Sequence, residues 1–404
     1  MAAYTDGMML DVAAAREMVL RHARPLAPRA EWLSPDVLGE TLAEDVTADV
    51  DSPPFDKAMM DGYAVRTSDL LTPGIALRVV DEVQAGSSHV SHVGIGEAVR
   101  IFTGAPLPFS ADAVVKQEDT TRDGDEVVIQ TAWIPPGQHI MRRGTEMKTG
   151  QVVLPRGTVI TPAALGLLAA CGRQEAKLNR TPMPGVAHLV TGNELVEVFQ
   201  VPIGGQIRNT NESMIAAMVQ RAGVSPQSFG IARDDESLRQ VIEDMLHEDM
   251  VIICGGVSVG KYDLVPDVLK SLGVEIHFHT VRMKPGKPLL FGTLGEKLVF
   301  GLPGNPVSAA VGFDLFVRPA IDILCGRTDP GPKELRLPLS EPLRAKHDRP
   351  TYHPAVIGAD SVRPLPWQGS ADLRALLPAN GYVVLPVGEV SLTVGEVVTV
   401  IRTG

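Results

Sequence analysis

Aromatic residues make up only 4% of this 404-residue chain, and it has three cysteines. Scarce aromatics beside 39 glycines and 32 prolines predict short strands joined by stiff loops. The cysteines, Cys171, Cys254 and Cys325, are odd in number, widely spaced and set among apolar residues. They read as reduced structural thiols of a cytoplasmic protein, and the lack of a CxxC or Cys/His cluster predicts no zinc site. No apolar run reaches membrane-spanning length, and the N-terminus lacks both a basic region and a long apolar segment. Neither a membrane partner nor a signal peptide is therefore expected. Net positive charge is lacking too: the formal balance is −11, which argues against nucleic acid or an anionic membrane as the main partner. With 44% hydrophobic and 21% charged residues the chain is globular, and it is too long for one ordinary core.

What is present is concentrated between Cys254 and Pro306, in CGGVSVGKYD, RMKPGKP and GLPGNPVSA. An apolar run, Met250 to Ile253, stops at Gly255-Gly256, where missing side chains let backbone N–H groups approach a ligand. Ser258 adds a hydroxyl. Asp263 adds a carboxylate and stands where a helix from Leu264 to Ser271 wants its N-cap. Lys284 and Lys287 bracket Pro285-Gly286, and two cations held in a stiff turn suit an anion. Pro303, Gly304, Asn305 and Pro306 make another rigid loop before an apolar helix from Val307. One such loop alone is an ordinary turn in most chains. Three in succession, each after an apolar strand, fit the rule that open α/β sheets bind ligands at the carboxyl ends of their strands.

Elsewhere the periodicities change by region. Asp11 to His22 reads as a helix capped by Asp11, and Val37 to Val46 as a short amphipathic piece. DSPPFDKAMMDGYAVR reads as an extended, rigid connector holding Asp61. From Ile75 to Gln130 short alternating runs predict a small all-β domain. Thr161-Pro162 opens a helix that ends before Gly172. From Pro184 strand, loop and helix alternate, with loops at Thr191–Glu194, Arg208–Asn211 and Arg233–Asp235, which predicts a parallel α/β sheet. After Pro330 the pattern is β again, as a small barrel or sandwich. The expected fold class is multidomain α/β: a linking and dimerisation domain (1–52 and 143–180), an inserted mainly-β domain (53–142), the α/β domain (181–328) and a C-terminal β-barrel (329–404).

PPFDKAMMDGYAV, TGAPLP, RRGTEM, TGNEL, IRNTN, RDD, GGVSVGKYD, MKPGKP, GLPGNPVSA and WQGSADL stand in one register over essentially the whole chain. In these the chain resembles the molybdopterin molybdenumtransferase family of the MoeA type, to which the C-terminal part of gephyrin also belongs. The resemblance implies an elongated homodimer. It implies a reaction of adenylylated molybdopterin with molybdate, giving molybdenum cofactor and AMP with a divalent cation, Mg²⁺. On the matching motifs it implies catalytic Asp61, Glu194, Asp234 and Asp263, with Asp61, Glu146, Glu194 and Asp263 as metal ligands. It assigns Gly255, Gly256, Ser258, Lys284, Lys287, Pro303, Pro306, Arg208 and Ser370 to substrate binding. A molybdopterin adenylyltransferase and proteins that accept the finished cofactor are the implied partners. The chemistry agrees: lysines and glycine N–H groups suit pyrophosphate and molybdate, and carboxylates suit Mg²⁺. In a dimer Asp61 would serve the partner's site.

The chain departs from the family pattern at three places: Thr145-Glu146 stands where Glu-Asp is usual, Asn193 where Asp is frequent, and His353 where Arg is common. Two other readings stay open here. A scaffold or ligand carrier that has lost turnover is disfavoured by the retained acids and lysines. A molybdopterin adenylyltransferase is disfavoured by the extra domains and DGYA.

Overall fold

The runs VAHLVT, MVIIC and KLVFGL show no polar alternation because both of their faces are covered. In Val186–Thr191, Val186 and Val190 join one buried cluster while Ala187 and Leu189 join another. Met250–Cys254 divides in the same way, with Met250, Ile252 and Cys254 set against Val251 and Ile253. Successive side chains of a strand point to opposite faces, so each run feeds both layers. Helices Val12–His22, Asn211–Arg221 and Pro306–Gly312 close one layer, and Ser237–Met245 and Val265–Ser271 the other. Each fully buried Val, Leu or Ile contributes about 1.5–3 kcal/mol.

This computed structural model describes residues 9–89, 91–131, 133–179, 184–233, 235–257 and 263–403. The sheet order is Pro226–Ala232, Val186–Thr191, Met250–Cys254, Lys297–Leu302, Pro288–Leu294, Glu275–Thr280. The first four strands are parallel, whereas Pro288–Leu294 and Glu275–Thr280 are antiparallel to their neighbours. The sheet is mixed, which corrects the expectation of a parallel one. The sequence reading has no strand at Pro288–Leu294. Only Gly295-Glu296 separates it from the next strand, too short a link for a parallel crossover, and Gly295 at φ +61° turns the hairpin.

Helix ends follow local chemistry. Asp11 accepts from the Ala14 N–H (2.8 Å) and caps Val12–His22. Gly172 (φ +67°) follows Pro162–Ala170, and Gly223 (φ +88°) follows Asn211–Arg221. Asp263 is not a cap. Val265–Ser271 has Leu264 in that place with no side-chain bond, and Pro266 in its first turn sets its start. The stretch 37–46 holds no helix beyond the end of a short turn, Pro35–Val37; a turn at Leu38-Gly39, two isolated bridges at Thr41 and Leu42 and the start of the strand Val46–Thr47 follow.

The chain forms two compact units. One comprises the chain up to Glu44, Gly157–Thr161 and the chain from Glu175 on; the other comprises Asp45–Arg156 and Pro162–Gln174. The second unit carries a six-stranded, mainly antiparallel sheet in which Gly62–Val65 lies between Ala113–Lys116 and Glu97–Ile101. The connector reading of this stretch is corrected: all four residues of GYAV are buried, so no alternation marks the strand. Gly62 is sterically required, because a Cβ there would sit 1.8 Å from the Val115 carbonyl oxygen. In the first unit, the C-terminal residues form a five-stranded antiparallel sheet. With the ribbon of Leu343–His347 and Gly388–Leu392 it encloses one core. The sheet's two edges meet at a Leu339–Val362 bridge, so the expected barrel is a curled sheet closed at one point. Among the described residues no helix is long and apolar enough to cross a membrane.

Candidate functional site

Three parallel strands of the first unit end at one rim. Val186–Thr191 runs into Gly192, Met250–Cys254 into Gly255-Gly256, and Lys297–Leu302 into Pro303–Pro306. These loop residues line a cleft of about 940 Å³, together with Glu194, Arg208 and Asp263. Gly255 has φ +96°, and a Cβ there would lie 2.3 Å from the Thr191 carbonyl oxygen. Only glycine lets those two loops touch, and their contact leaves backbone rather than side chain at the cleft wall. A Cβ on Gly192 would be 2.8 Å from the Glu194 carboxylate, so Gly192 makes room for that acid. The Ile207 N–H donates to the Glu194 carbonyl (2.8 Å) and the Asn209 N–H to the Val196 carbonyl (2.9 Å). These bonds fix the chain bearing Glu194 against the chain bearing Arg208. Asn211 Nδ2 donates to the Gly304 carbonyl (2.7 Å) and ties that chain to the next loop.

A groove of about 390 Å³ adjoins the cleft and shares Pro288, Pro303 and Asn305 with it. Lys284, Lys287, Arg349, Ser308 and Ser370 line this groove. The Lys284 backbone is held on both sides: its N–H donates to the Pro350 carbonyl (2.9 Å), and its carbonyl accepts from the Tyr352 N–H (2.8 Å). The Val307 N–H donates to the Ser370 carbonyl (3.0 Å), which sets Ser370 at the start of Pro306–Gly312. The result is a cationic groove beside a cleft edged with carboxylates.

The structure thus brings Glu194, Arg208, Gly255, Gly256, Asp263, Pro303 and Pro306 into one cleft and Lys284, Lys287 and Ser370 into its neighbour. Ser258 and Asp234 lie outside the described residues. His353 does not enter the site in the manner of an arginine. It is buried in Thr351–Ile357, its Nε2 donates to the Leu365 carbonyl (2.8 Å), and its ring meets Trp367 edge-on. Burial holds its pKa below the usual histidine value. The basic residues that do reach the groove region are Arg349, which lines it, and His347, whose Nδ1 is 3.4 Å from Lys284 Nζ. Sequence reasoning gave neither a place in the site, although basic residues are dense in KHDRPTYH, and it gave Trp367 no role although WQGSADL stood among the matching motifs.

Asp61 and Glu146 belong to the other unit. Local packing does use the Asp61 charge. Its Oδ1 accepts from the Thr103 N–H (2.8 Å) and from the Thr103 hydroxyl (2.7 Å). Those two bonds, with Arg100 nearby, hold the Asp61 pKa below the usual carboxylate value. Glu146 accepts from the Ser52 hydroxyl (2.7 Å) and faces Lys57 Nζ at 3.7 Å, so a cation there would compete with a lysine. Among the described residues no three His, Cys, Asp or Glu side chains gather into a metal cage. Two carboxylates on one cleft nonetheless fit Mg²⁺, which keeps several waters and takes one or two carboxylates beside substrate phosphates.

Three family descriptions match the chain in order. MoeA N-terminal region (domain I and II) matches residues 10–172, probable molybdopterin binding domain residues 187–322, and MoeA C-terminal region (domain IV) residues 336–402. The chain is 36% identical over 376 residues to the molybdopterin molybdenumtransferase of Staphylococcus aureus (strain COL), covering 91% of this chain and 89% of that one. The structure is similar to that of the molybdopterin biosynthesis MoeA protein from Pyrococcus horikoshii OT3. That match has TM-score 0.82 and 29% identity, over 98% of this chain and 100% of that one. A second solved MoeA structure from the same species has TM-score 0.80 at 32% identity, over 98% and 99% of the two chains.

Proposed function

Because the chain belongs to the molybdopterin molybdenumtransferase (MoeA) family, we propose that it acts in molybdenum cofactor biosynthesis. In this reading it takes adenylylated molybdopterin and molybdate and releases molybdenum cofactor and AMP. The observation that carries the reading is the pairing of two unlike cavities across Pro288, Pro303 and Asn305. A reaction of a bulky pyrophosphate with a small oxyanion needs two adjoining subsites. The larger cleft offers glycine backbone at the N-terminal approach of Pro306–Gly312, and Arg208, for the pyrophosphate. The smaller groove offers Lys284, Lys287, Arg349 and two serines, which suit a tetrahedral dianion.

The chain's own groups then have separable tasks. Arg208 and the Gly255-Gly256 backbone orient the phosphates, while Pro303 and Pro306 keep the rim rigid. Lys284, Lys287 and Arg349 hold molybdate against it. An oxygen nucleophile adds to one phosphorus of the pyrophosphate, the bridging oxygen leaves with the other phosphate, and AMP departs. Glu194 and Asp263 orient that nucleophile and would hold a divalent cation, which when bound neutralises charge on the phosphate oxygens. Asp234, Ser258, Asp61 and Glu146 complete the proposed set, and a homodimer, a pterin-supplying adenylyltransferase and cofactor-accepting proteins complete the proposed assembly.

The test is to incubate the protein with adenylylated molybdopterin, molybdate and Mg²⁺. The expected result is AMP release matched by molybdenum bound to pterin. Tight pterin binding with no AMP release would make the protein a carrier. Adenylylation of molybdopterin from ATP would make it the preceding enzyme instead. Mixing Asp61→Asn with Asp263→Asn subunits tests the dimer: activity above that of either parent supports sites shared between subunits.

A further inference from the structure

We propose that His347 is a positioning residue that holds the Lys284 ammonium at the mouth of the groove without cancelling its charge. This rests on the reading that the groove takes an oxyanion. A lysine side chain loses rotamer freedom when it is fixed, so an anion site gains if the lysine is ordered before the anion arrives. The usual way to fix a lysine is an ion pair with a carboxylate. At an anion site that partner defeats the purpose, because its charge repels the ligand. Here the Lys284 ammonium lies 3.4 Å from His347 Nδ1, a neutral acceptor. No ion pair with a carboxylate forms at Lys284 among the described residues. The nearby Asp348 carboxylate is engaged by Arg349 Nε at 3.1 Å instead.

The tautomer this contact requires carries its proton on Nε2, which is enclosed and has no hydrogen-bond partner; no other element claims the ring, and it faces Nδ1 to Lys284 at the cost of an unmatched N–H. The ring is placed at the end of the Leu343–His347 strand, whose pairing with Gly388–Leu392 fixes its backbone. Only neutral imidazole can accept at Nδ1. The surroundings keep it neutral: burial and the Lys284 charge both lower its pKa, against the opposing pull of Asp348, and the nearby His353 is itself disfavoured from charging. Lys287, on the other side of Gly286, is exposed; its carbonyl accepts from the Val281 N–H (3.0 Å), and no ion pair forms at its ammonium among the described residues. The two lysines are therefore unlike: Lys284 is set in advance, and Lys287 is free to fold over the anion.

Molybdate binding, measured by equilibrium dialysis on the full chain, separates this from a merely structural role. His347→Phe keeps the ring's bulk and removes the acceptor, and is expected to weaken molybdate binding about tenfold, the scale of one bond to a charged group. His347→Asn places an amide oxygen where Nδ1 was and is expected to restore affinity. His347→Asp holds the lysine but neutralises it, and is expected to weaken binding at least as much as Phe. A ligand-free check follows the His347 ring by NMR: Lys284→Met should raise its pKa. An unchanged titration would overturn the contact. Wild-type affinity in both the Phe and Asp variants would overturn the positioning role while leaving the oxyanion reading intact. Failure of the wild-type protein to bind molybdate would overturn the oxyanion reading itself.

Discussion

The acids that the family resemblance singles out stand in different surroundings in the two units. In the second unit they are fasteners. Asp51 accepts from the Thr149 N–H and hydroxyl (2.8 and 2.9 Å) and from Arg143 Nε (2.6 Å), Asp61 accepts twice from Thr103, and Glu146 is taken by Ser52 and Lys57. In the first unit Glu194 and Asp263 line open volume beside glycine backbone. The same family resemblance names Asp61, Glu146, Glu194 and Asp263 together, yet their surroundings differ. An acid that already accepts two or three bonds stabilises the loop it closes. Glu194 and Asp263 instead border the open cleft.

The largest effects should come from the cleft. Glu194→Gln and Asp263→Asn keep shape and remove charge. AMP release should fall by roughly a hundredfold while adenylylated molybdopterin binds within a few fold of wild type. Equal losses of binding and turnover in a filter-binding and AMP assay would erase the distinction between ligand acid and fastener. Next, Lys284→Met or Lys287→Met should weaken molybdate binding by about ten- to a hundredfold and leave the melting temperature in place. A lysine variant that melts early instead would show that the groove's cations also hold the fold.

Asp61 sharpens the comparison in the other direction. Asp61→Ala deletes the acceptor of both Thr103 bonds and should lower the melting temperature by a few degrees. Asp61→Asn retains an acceptor oxygen and should melt near wild type. If Asn also keeps full AMP release, Asp61 is a fastener only.

The smallest effect is a pH dependence with two signs. Burial raises the Asp314 pKa to about 6, against the pull of a Tyr382 hydroxyl bond. The folded state then holds that proton where the unfolded chain has lost it, so Asp314 makes the fold less stable as pH rises from about 4 to about 6. Asp51 has its pKa lowered to about 2, first by the Thr149 N–H and then by Arg143. Its contribution is present above the ordinary carboxylate value and is lost as pH falls toward 2. Asp314→Asn should flatten the upper window in urea unfolding and leave the lower one unchanged.

Much of this was legible in the chain itself. The strand-to-glycine junctions at Gly192 and Gly255 and the proline-glycine loops at 285 and 303 carry local steric reasons, and local reasons can be read from sequence. Helix caps at Asp11, Gly172 and Gly223 were legible for the same cause. Gly62–Val65 and Pro288–Leu294 were not: both lack a period, and each follows closely on a proline-containing loop that hides its start. That His353 is buried while Arg349, four residues before it, lines the groove was not legible either. Which of them faces the groove is decided by a pairing with a loop more than sixty residues upstream, Lys284 against Thr351.

That pairing has a consequence for assembly. The two backbone bonds that hold Lys284 come from Pro350 and Tyr352, so they cannot form until the last part of the chain has been made. During synthesis the glycine and proline loops of the cleft are complete by residue 306, but Ala371 and Leu373, which also line it, and the backbone partners of Lys284 in the groove must wait for the C-terminal part of the chain. A nascent or prematurely stopped chain would have neither cavity complete. Competence arrives only when the final strands do.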